Sequence, residues 1–310
     1  MKTALLFAGQ ATQYVGMGRH LFETFPVARA LFERADAALG EPLSRVVFEG
    51  PEAALHQTEN TQPAVLTVAC AAYEILAERG FVADVVAGHS LGEYSALVAA
   101  GALQFEDAVR LCRRRGTYMQ MAVPEGEGSM AAIQRLSPDD VARVCAEVDG
   151  YCAPAVFNAP KLVVISGETA AVAAACAELA KMRAIVIPLE VSAPFHCEML
   201  RPAAARLAED LARVPLASIE IPYVSNVDAQ WNDSASPAHI RDLLVRQVVG
   251  AVEWRKSIAL MLDRGVERFW HVGPGRSNLT HVKRQARRAP MATLDEEAQL
   301  GQILAELEAP

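Results

Sequence analysis

Apolar residues recur along the chain with two spacings, which predict alternating helices and strands. Apolar positions three or four residues apart predict amphipathic helices over residues 27–39, 63–79, 105–121, 198–213 and 294–307. Short apolar runs predict strands over residues 3–8, 82–87, 220–225 and 266–272. Because the two kinds of element alternate, the sequence predicts an α/β fold built on a mainly parallel sheet.

Residues 123–190 have a different order of elements from the rest of the chain. A strand, a helix, two strands, a helix and a strand are predicted at residues 130–133, 138–148, 152–157, 162–166, 170–182 and 184–189. This β-α-β-β-α-β order is typical of ferredoxin-like domains. We therefore predict a small ferredoxin-like domain, 123–190, inserted into a large α/β-hydrolase-like domain made of residues 1–122 and 191–310. Because pockets favour domain junctions, we expect a cleft between the two.

The sequence Gly88-His89-Ser90-Leu91-Gly92 lies between a predicted strand and a run of helical character, residues 93–100. A strand, a tight turn and a helix are the context of a nucleophile elbow, which exposes a serine hydroxyl at the end of the strand. Glycines suit such a turn because it brings backbone segments close together and leaves little room for a Cβ atom. The alternative is an ordinary turn with Ser90 as a helix N-cap. The flanking elements favour the nucleophile.

A serine nucleophile needs a base within hydrogen-bonding distance, and histidine is the most common one. Of the seven histidines, we prefer His196, because its loop joins the predicted small domain to the next helix and so lies at the cleft. His89 adjoins Ser90, but neighbouring side chains of an extended chain point to opposite faces, which favours a packing role. His271 ends a predicted strand near the crevice. The remaining histidines are expected at the surface: His20, His56, His239 and His281.

Composition narrows the class of protein. Of the 310 residues, 52% are hydrophobic and 21% are charged, which is typical of a globular enzyme and not of a disordered chain. The net charge of -8 argues against nonspecific binding of nucleic acid. No apolar run reaches the roughly 18 residues of a membrane span, and the N-terminus is interpreted as a core strand rather than a signal peptide.

Cysteine usage and ligand spacing add two expectations. The six cysteines include no Cys-x-x-Cys pair, so we expect buried thiols in a cytoplasmic protein. No group of His, Cys and carboxylate residues has metal-ligand spacing, and we expect neither a metal nor a cofactor.

Several motifs occur in a consistent order along the chain. They are Ala8-Gly9-Gln10-Ala11-Thr12-Gln13, Thr61-Gln62-Pro63-Ala64, Gly88-His89-Ser90-Leu91-Gly92-Glu93, Arg115-Gly116-Thr117-Tyr118-Met119-Gln120, Phe157-Asn158-Ala159-Pro160, Pro194-Phe195-His196-Cys197 and Val272-Gly273-Pro274-Gly275. In these motifs the chain resembles the malonyl-CoA:acyl-carrier-protein transacylases, a family that includes the fatty-acid-synthesis enzyme and the freestanding acyltransferases of polyketide synthases. Ala8, Ala11 and Thr12 depart from it, since they stand where the family has proline, glycine and serine.

The resemblance implies a role for each matching residue. Ser90 would be the acylated nucleophile and His196 its general base, while the backbone amides of Gln10 and Leu91 would form the oxyanion hole. Arg115 would bind the free carboxylate of malonyl through two parallel hydrogen bonds. The resemblance implies a ping-pong transfer of malonyl from CoA to the pantetheine thiol of an acyl carrier protein.

Four further side chains would contact the substrate: Gln62, Met119, Asn158 and Phe195. An aromatic residue before the histidine is the family's pattern for malonyl, since its bulk would exclude an α-branch. Two alternatives stay open: an acyl hydrolase that releases acyl groups from carrier proteins, and a transferase for a different acyl group. The presence of Arg115 argues against the hydrolase, because hydrolytic relatives tend to lack it. A catalytically silent docking subunit is disfavoured by the intact Ser90 and His196.

Carrier proteins are typically acidic, so an acidic enzyme needs a local basic surface to bind one. We expect this surface to be formed by Lys283, Arg284, Arg287 and Arg288, together with Arg113 or Arg114. The alternative for each cluster is a solvated helix face. Nothing in the sequence requires more than a monomer.

Overall fold

Two sheets organise the chain in a computed structural model that describes residues 1–309. Their strands are β1 (Lys2–Phe7), β2 (Val85–Gly88), β3 (Gly128–Gln134), β4 (Cys152–Ala159), β5 (Leu162–Glu168), β6 (Ile185–Pro188), β7 (Tyr223–Val224), β8 (Trp231–Asn232), β9 (Val266–Val272) and β10 (Met291–Thr293). The larger sheet has the order β10-β9-β1-β2-β7-β8 and is parallel except for β8, which pairs antiparallel with β7. The smaller sheet, β4-β5-β3-β6, is antiparallel. The predicted α/β fold with a mainly parallel sheet is confirmed.

Helices cover both sheets. They are α1 (Arg19–Thr24), α2 (Pro26–Leu39), α3 (Leu43–Glu49), α4 (Glu52–His56), α5 (Thr58–Ala77), α6 (Gly92–Ala99), α7 (Phe105–Ala122), α8 (Pro138–Glu147), α9 (Thr169–Lys181), α10 (Arg201–Arg213), α11 (Pro237–Val249), α12 (Trp254–Asp263), α13 (Ser277–Lys283) and α14 (Glu297–Glu308). A single 3₁₀ turn, Glu198–Leu200, precedes α10. No helix within residues 1–309 combines the length and the apolar character that crossing a membrane requires.

Strand β1 lies at the centre of the larger sheet, and its residues from Ala4 to Phe7 are fully buried. Phe7 is in register with Gly88 of β2 on one side and with Val272 of β9 on the other. The carboxyl ends of three neighbouring parallel strands therefore meet at one edge. Ligands of open α/β sheets bind at this edge, so the loops that follow β1, β2 and β9 are the natural place for a site.

The smaller sheet presents different residues on its two faces because side chains alternate along a strand. Ile133 and Val163 point to a core shared with α8 and α9, whereas Met130 and Val164 point to the core of the larger part. The second face of this sheet is thus available as a wall of the cleft. The two parts are also joined by their backbones, because Val156 of β4 pairs with Val252 of the larger part. The domain boundaries at residues 123 and 190 therefore stay a prediction.

Two predicted strands are shorter than the sequence indicated. The strand predicted at 82–87 begins at Val85, because Val82 is exposed and the Asp84 carboxylate instead accepts a hydrogen bond from the Thr3 amide. The strand predicted at 220–225 is reduced to Tyr223–Val224, since Pro222 has no N–H to donate to the sheet.

Gly88 offers a test of the tight turn after β2. A Cβ atom built on Gly88 would lie 1.8 Å from the backbone oxygen of Gly92, which cannot move without breaking the turn. We expect Gly88→Ala to lower the free energy of unfolding by about 1–3 kcal/mol, measured by urea denaturation. Gly301→Ala is the control, because nothing lies within 4 Å of its Cβ position on α14. It should raise stability by roughly 0.5–1 kcal/mol. Equal effects at the two positions would contradict the steric argument.

Candidate active site

The turn from β2 to α6 holds Ser90 in a left-handed backbone conformation with φ +54°. A Cβ atom on Gly92 would lie 2.6 Å from the backbone oxygens of Phe7 and Ala8, so a glycine is required where α6 passes the end of β1. A non-glycine residue at positive φ is strained and is held there by its surroundings. The local structure has the geometry of a nucleophile elbow.

Ser90 and His196 are brought together although 106 residues separate them, with 2.7 Å between Ser90 Oγ and His196 Nε2. His196 Nδ1 lies 2.9 Å from the backbone oxygen of Gln247 and must donate to it, which leaves Nε2 as an acceptor for the serine hydroxyl. Burial, followed by the positive charge of Arg115, lowers the pKa of His196 to about 3. The imidazole is therefore neutral at physiological pH and can accept a proton from Ser90.

Two backbone amides border the nucleophile. Leu91 precedes α6 and Gln10 follows β1, and within residues 1–309 neither N–H group donates a hydrogen bond to a protein acceptor. The amide of Ser90 itself is held by Asn226 Oδ1 at 2.7 Å, and Asn226 Nδ2 donates to the Gly88 oxygen at 2.7 Å. Leu91 lies at the start of α6, where free donors favour negative charge, as an oxyanion hole requires.

Arg115 of α7 is 2% exposed and lies beside the nucleophile. Its guanidinium donates to Gln62 Oε1 at 2.7 Å, to Gln247 Oε1 at 2.8 Å and to Ser90 Oγ at 3.1 Å. All of these acceptors are neutral, and within residues 1–309 no carboxylate forms an ion pair with Arg115. A buried charge without a counter-ion is costly. The site is therefore suited to receive an anionic group next to Ser90.

A cavity of about 620 Å³ opens onto Ser90. Of the four side chains expected to contact substrate, Gln62, Asn158 and Phe195 line this cavity. Met119 is buried behind Gln62, whose Nε2 lies 3.6 Å from the methionine sulfur. Met130 and Val164 of the smaller sheet form part of the opposite wall, so the cavity lies between the two sheets.

The other histidines are distributed differently from the sequence-based expectation. His281, expected at the surface, instead lines the cavity, because α13 packs beside the edge of the larger sheet. His271 is fully buried and bonded to the Pro274 oxygen, so it does not reach the crevice. His89 has the packing role that was expected: its ring contacts Trp254, and its Nε2 lies 2.9 Å from Asn158 Oδ1.

The two basic clusters differ in their surroundings. Arg113 pairs with Glu41, and Arg114 pairs with Asp210 at 2.7 Å. The second cluster lies at the end of α13 and just beyond it, is exposed, and forms no ion pair within residues 1–309: Lys283, Arg284, Arg287 and Arg288. Ser277 on the same helix lines the cavity. The unpaired basic cluster therefore follows a helix that contributes Ser277 and His281 to the cavity wall.

Two residues that hold the site together were not identified from the sequence. Gln247 lies in an ordinary amphipathic helix, α11, and nothing in its sequence neighbourhood marks it. Asn226 lies two residues after β7, and a polar residue beyond the carboxyl end of a predicted parallel strand is a signal that could have found it.

Comparisons with known proteins show the family of the chain. The family model for the acyl transferase domain matches residues 4–299. The malonyl CoA-acyl carrier protein transacylase of Escherichia coli (strain K12) is 44% identical over 279 residues, which cover 88% of this chain and 89% of the relative. The protein of the same name from Bacillus subtilis (strain 168) is 43% identical over 292 residues, covering 93% and 91%.

Solved structures extend the likeness to three dimensions. The acyl-carrier-protein-S-malonyltransferase of Bartonella henselae is 38% identical, has a TM-score of 0.96 and covers 100% of each chain. A malonyl-transacylase solved in complex with a type II polyketide synthase acyl carrier protein is 38% identical, with a TM-score of 0.95 and coverage of 99% of this chain and 100% of that chain. With an elbow serine, a buried histidine and an unpaired arginine in one cavity, the chain belongs to the acyl transferase family of malonyl CoA-acyl carrier protein transacylases.

Proposed function

We propose that this protein transfers a malonyl group from CoA to the pantetheine thiol of an acyl carrier protein through a malonyl-Ser90 ester. The observation that carries the proposal is the buried guanidinium of Arg115, which has only neutral partners and lies 3.1 Å from the nucleophile Ser90. The free carboxylate of malonyl would supply the missing counter-ion and would place the thioester at the elbow. A neutral acyl group would leave the charge unpaired.

In the first half-reaction, Ser90 Oγ attacks the thioester carbonyl while its proton passes to His196 Nε2. The amides of Gln10 and Leu91 are proposed to stabilise the developing oxyanion, a contribution of about 3 kcal/mol per donor. The intermediate collapses with cleavage of the carbon–sulfur bond, and the CoA sulfur takes the proton from His196. The second half-reaction is the reverse with a different thiol: pantetheine attacks the ester, and Ser90 recovers its proton.

One further feature supports malonyl as the acyl group. Phe195 lines the cavity beside His196, and its bulk is proposed to disfavour an α-branched acyl group. No observation on the molecule favours the hydrolase alternative over transfer.

Because the proposed nucleophile, base and carboxylate-binding residue all come from one chain, we propose that a monomer is sufficient.

Carrier recognition is proposed to use the exposed cations at the end of α13. Four cations are free of ion pairs within residues 1–309 and follow a helix that lines the cavity, so they can attract an acidic protein: Lys283, Arg284, Arg287 and Arg288. Arg113 and Arg114 contribute less to this proposal than the sequence suggested, because Glu41 and Asp210 offset their charges.

Ser90→Ala tests the nucleophile. We expect the variant to form no covalent malonyl adduct when it is incubated with malonyl-CoA, whereas the wild-type protein should gain one malonyl group. Intact-mass measurement distinguishes the two results. Ser192→Ala is the matched control, since Ser192 lines the same cavity but bonds to Thr58 at 3.1 Å. It should acylate normally. An adduct that persists on Ser90→Ala would identify a different nucleophile.

Arg115→Ala tests the carboxylate-binding role. Loss of two charge-assisted hydrogen bonds should lower kcat/KM for malonyl loading by about 100-fold or more, while acetyl-CoA loading is spared or improved. Time courses of self-acylation, quenched at intervals, give kcat/KM for malonyl-CoA and for acetyl-CoA, and the ratio of the two values is compared between variant and wild type. Equal losses with malonyl-CoA and acetyl-CoA would rule out this role.

Charge reversal tests the carrier surface. Arg284→Glu combined with Arg287→Glu should raise KM for the carrier protein several-fold and leave self-acylation by malonyl-CoA intact, because the cavity is untouched. The control reverses Arg143 and Lys181, which lie on α8 and α9, on the face of the smaller sheet opposite the cavity. An unchanged carrier KM in the first variant, or an equal rise in the second, would contradict the proposal.

A further inference from the structure

Glu93 is a buried carboxyl group that the proposed mechanism leaves without a role. It lies in the first turn of α6, three residues after the nucleophile, and is 1% exposed. Its Oε2 accepts from Gln247 Nε2 at 2.6 Å, and its Oε1 is 3.4 Å from the amide of Asn226. Both partners are neutral amides. A carboxyl group buried in this way is costly unless its contacts serve a purpose.

The side-chain amide of Gln247 connects Glu93 to the substrate site. Its Nε2 donates both to Glu93 and to the backbone oxygen of Ser90, the latter at 2.9 Å. Its Oε1 accepts from Arg115 Nη2 at 2.8 Å. Rotating this amide by half a turn would place an NH₂ group against the guanidinium, and two donors would face each other. The acceptor at Glu93, which makes the shorter of the two hydrogen bonds from Nε2, therefore acts with the Ser90 oxygen to fix the orientation that Arg115 needs.

The charge state of Glu93 is compatible with this role. Burial raises the pKa of Glu93 to about 8. The titratable groups that face it are Arg115 of α7, Asp228 after β7, Tyr223 of β7 and Tyr94 on its own helix. At neutral pH the carboxyl group is mainly protonated, and its carbonyl oxygen still accepts a hydrogen bond. Glu93 thus orients Gln247 without offsetting the charge of Arg115.

We propose that Glu93 is a positioning residue for the acyl carboxylate: acting through the Gln247 amide, it holds Arg115 in the geometry that receives malonyl. This inference rests on the proposed function, since it concerns the same substrate site. It assigns specificity for a carboxylated acyl group to a residue that touches neither the acyl group nor the nucleophile's hydroxyl.

Two substitutions of Glu93 separate the hydrogen bond from the charge. Glu93→Leu removes the acceptor, and we expect KM for malonyl-CoA in self-acylation to rise about tenfold or more, with acetyl-CoA parameters within about twofold of wild type. Glu93→Gln keeps an acceptor oxygen and mimics the protonated carboxyl group, so it should recover most of the malonyl loading. Glu253→Gln is the control, because that carboxylate faces Lys256 at 2.9 Å instead of the site.

A second variant keeps the test decisive if Glu93→Leu does not fold. Gln247→Met breaks the same connection from its other end and retains the backbone oxygen that accepts from His196. It should raise the malonyl KM and leave the acetyl-CoA parameters close to those of wild type. Equal losses for malonyl-CoA and acetyl-CoA, or a Glu93→Gln variant as impaired as Glu93→Leu, would overturn the inference. Failure of wild-type protein to form the malonyl adduct would instead refute the proposed function.

Discussion

The hydrogen bond between Ser90 and His196 is the constraint on which the rest of the site depends. Both residues have left-handed backbones, with φ +54° and +59°, a conformation that costs an L-residue roughly 1–2 kcal/mol. Each residue needs contacts with its surroundings to keep this backbone conformation. The Asn226 side chain fixes the amide of Ser90, and the backbone of Gln247 fixes the ring of His196. Strain at Ser90 and His196 is thus offset by buried contacts from the segment after β7 and from α11, both distant in sequence.

Much of this arrangement could be predicted from the sequence, because it depends on local patterns. The glycines at 88 and 92 mark a turn that tolerates no Cβ atom, and the order of elements in residues 123–190 follows from apolar spacing alone. The loop position of His196 at the predicted cleft singled it out among the histidines, and the family motifs added Arg115. The connections through Gln247 could not be found this way, since its partners Ser90 and Arg115 are 157 and 132 residues away and its helix has an ordinary amphipathic pattern.

The alternation of side chains along a strand predicts only part of the position of the smaller sheet. Alternation along β3 and β5 predicts two apolar faces, and two apolar faces require two partners. The helices α8 and α9 cover one face. That the other face would close the cavity over Ser90 depends on long-range packing, which is also why His281 was expected at the surface and lies in the cavity wall. Short elements such as α3 and α4 carry too few residues for a periodic signal.

Arg115 affects the base as well as the substrate. Burial is the main cause of the lowered pKa of His196, and the unpaired charge of Arg115 lowers it further, so the imidazole is neutral and can accept a proton. Acylation requires that the same imidazole become protonated for a moment, and an uncompensated guanidinium opposes that step. Under the proposed function, a malonyl carboxylate bound to Arg115 would offset the opposing charge and raise the basicity of His196 when the thioester is in place. A neutral acyl group would not do this. The carboxylate would then act on the chemical step as well as on binding, and this coupling requires that no ionised carboxylate of the protein pair with Arg115.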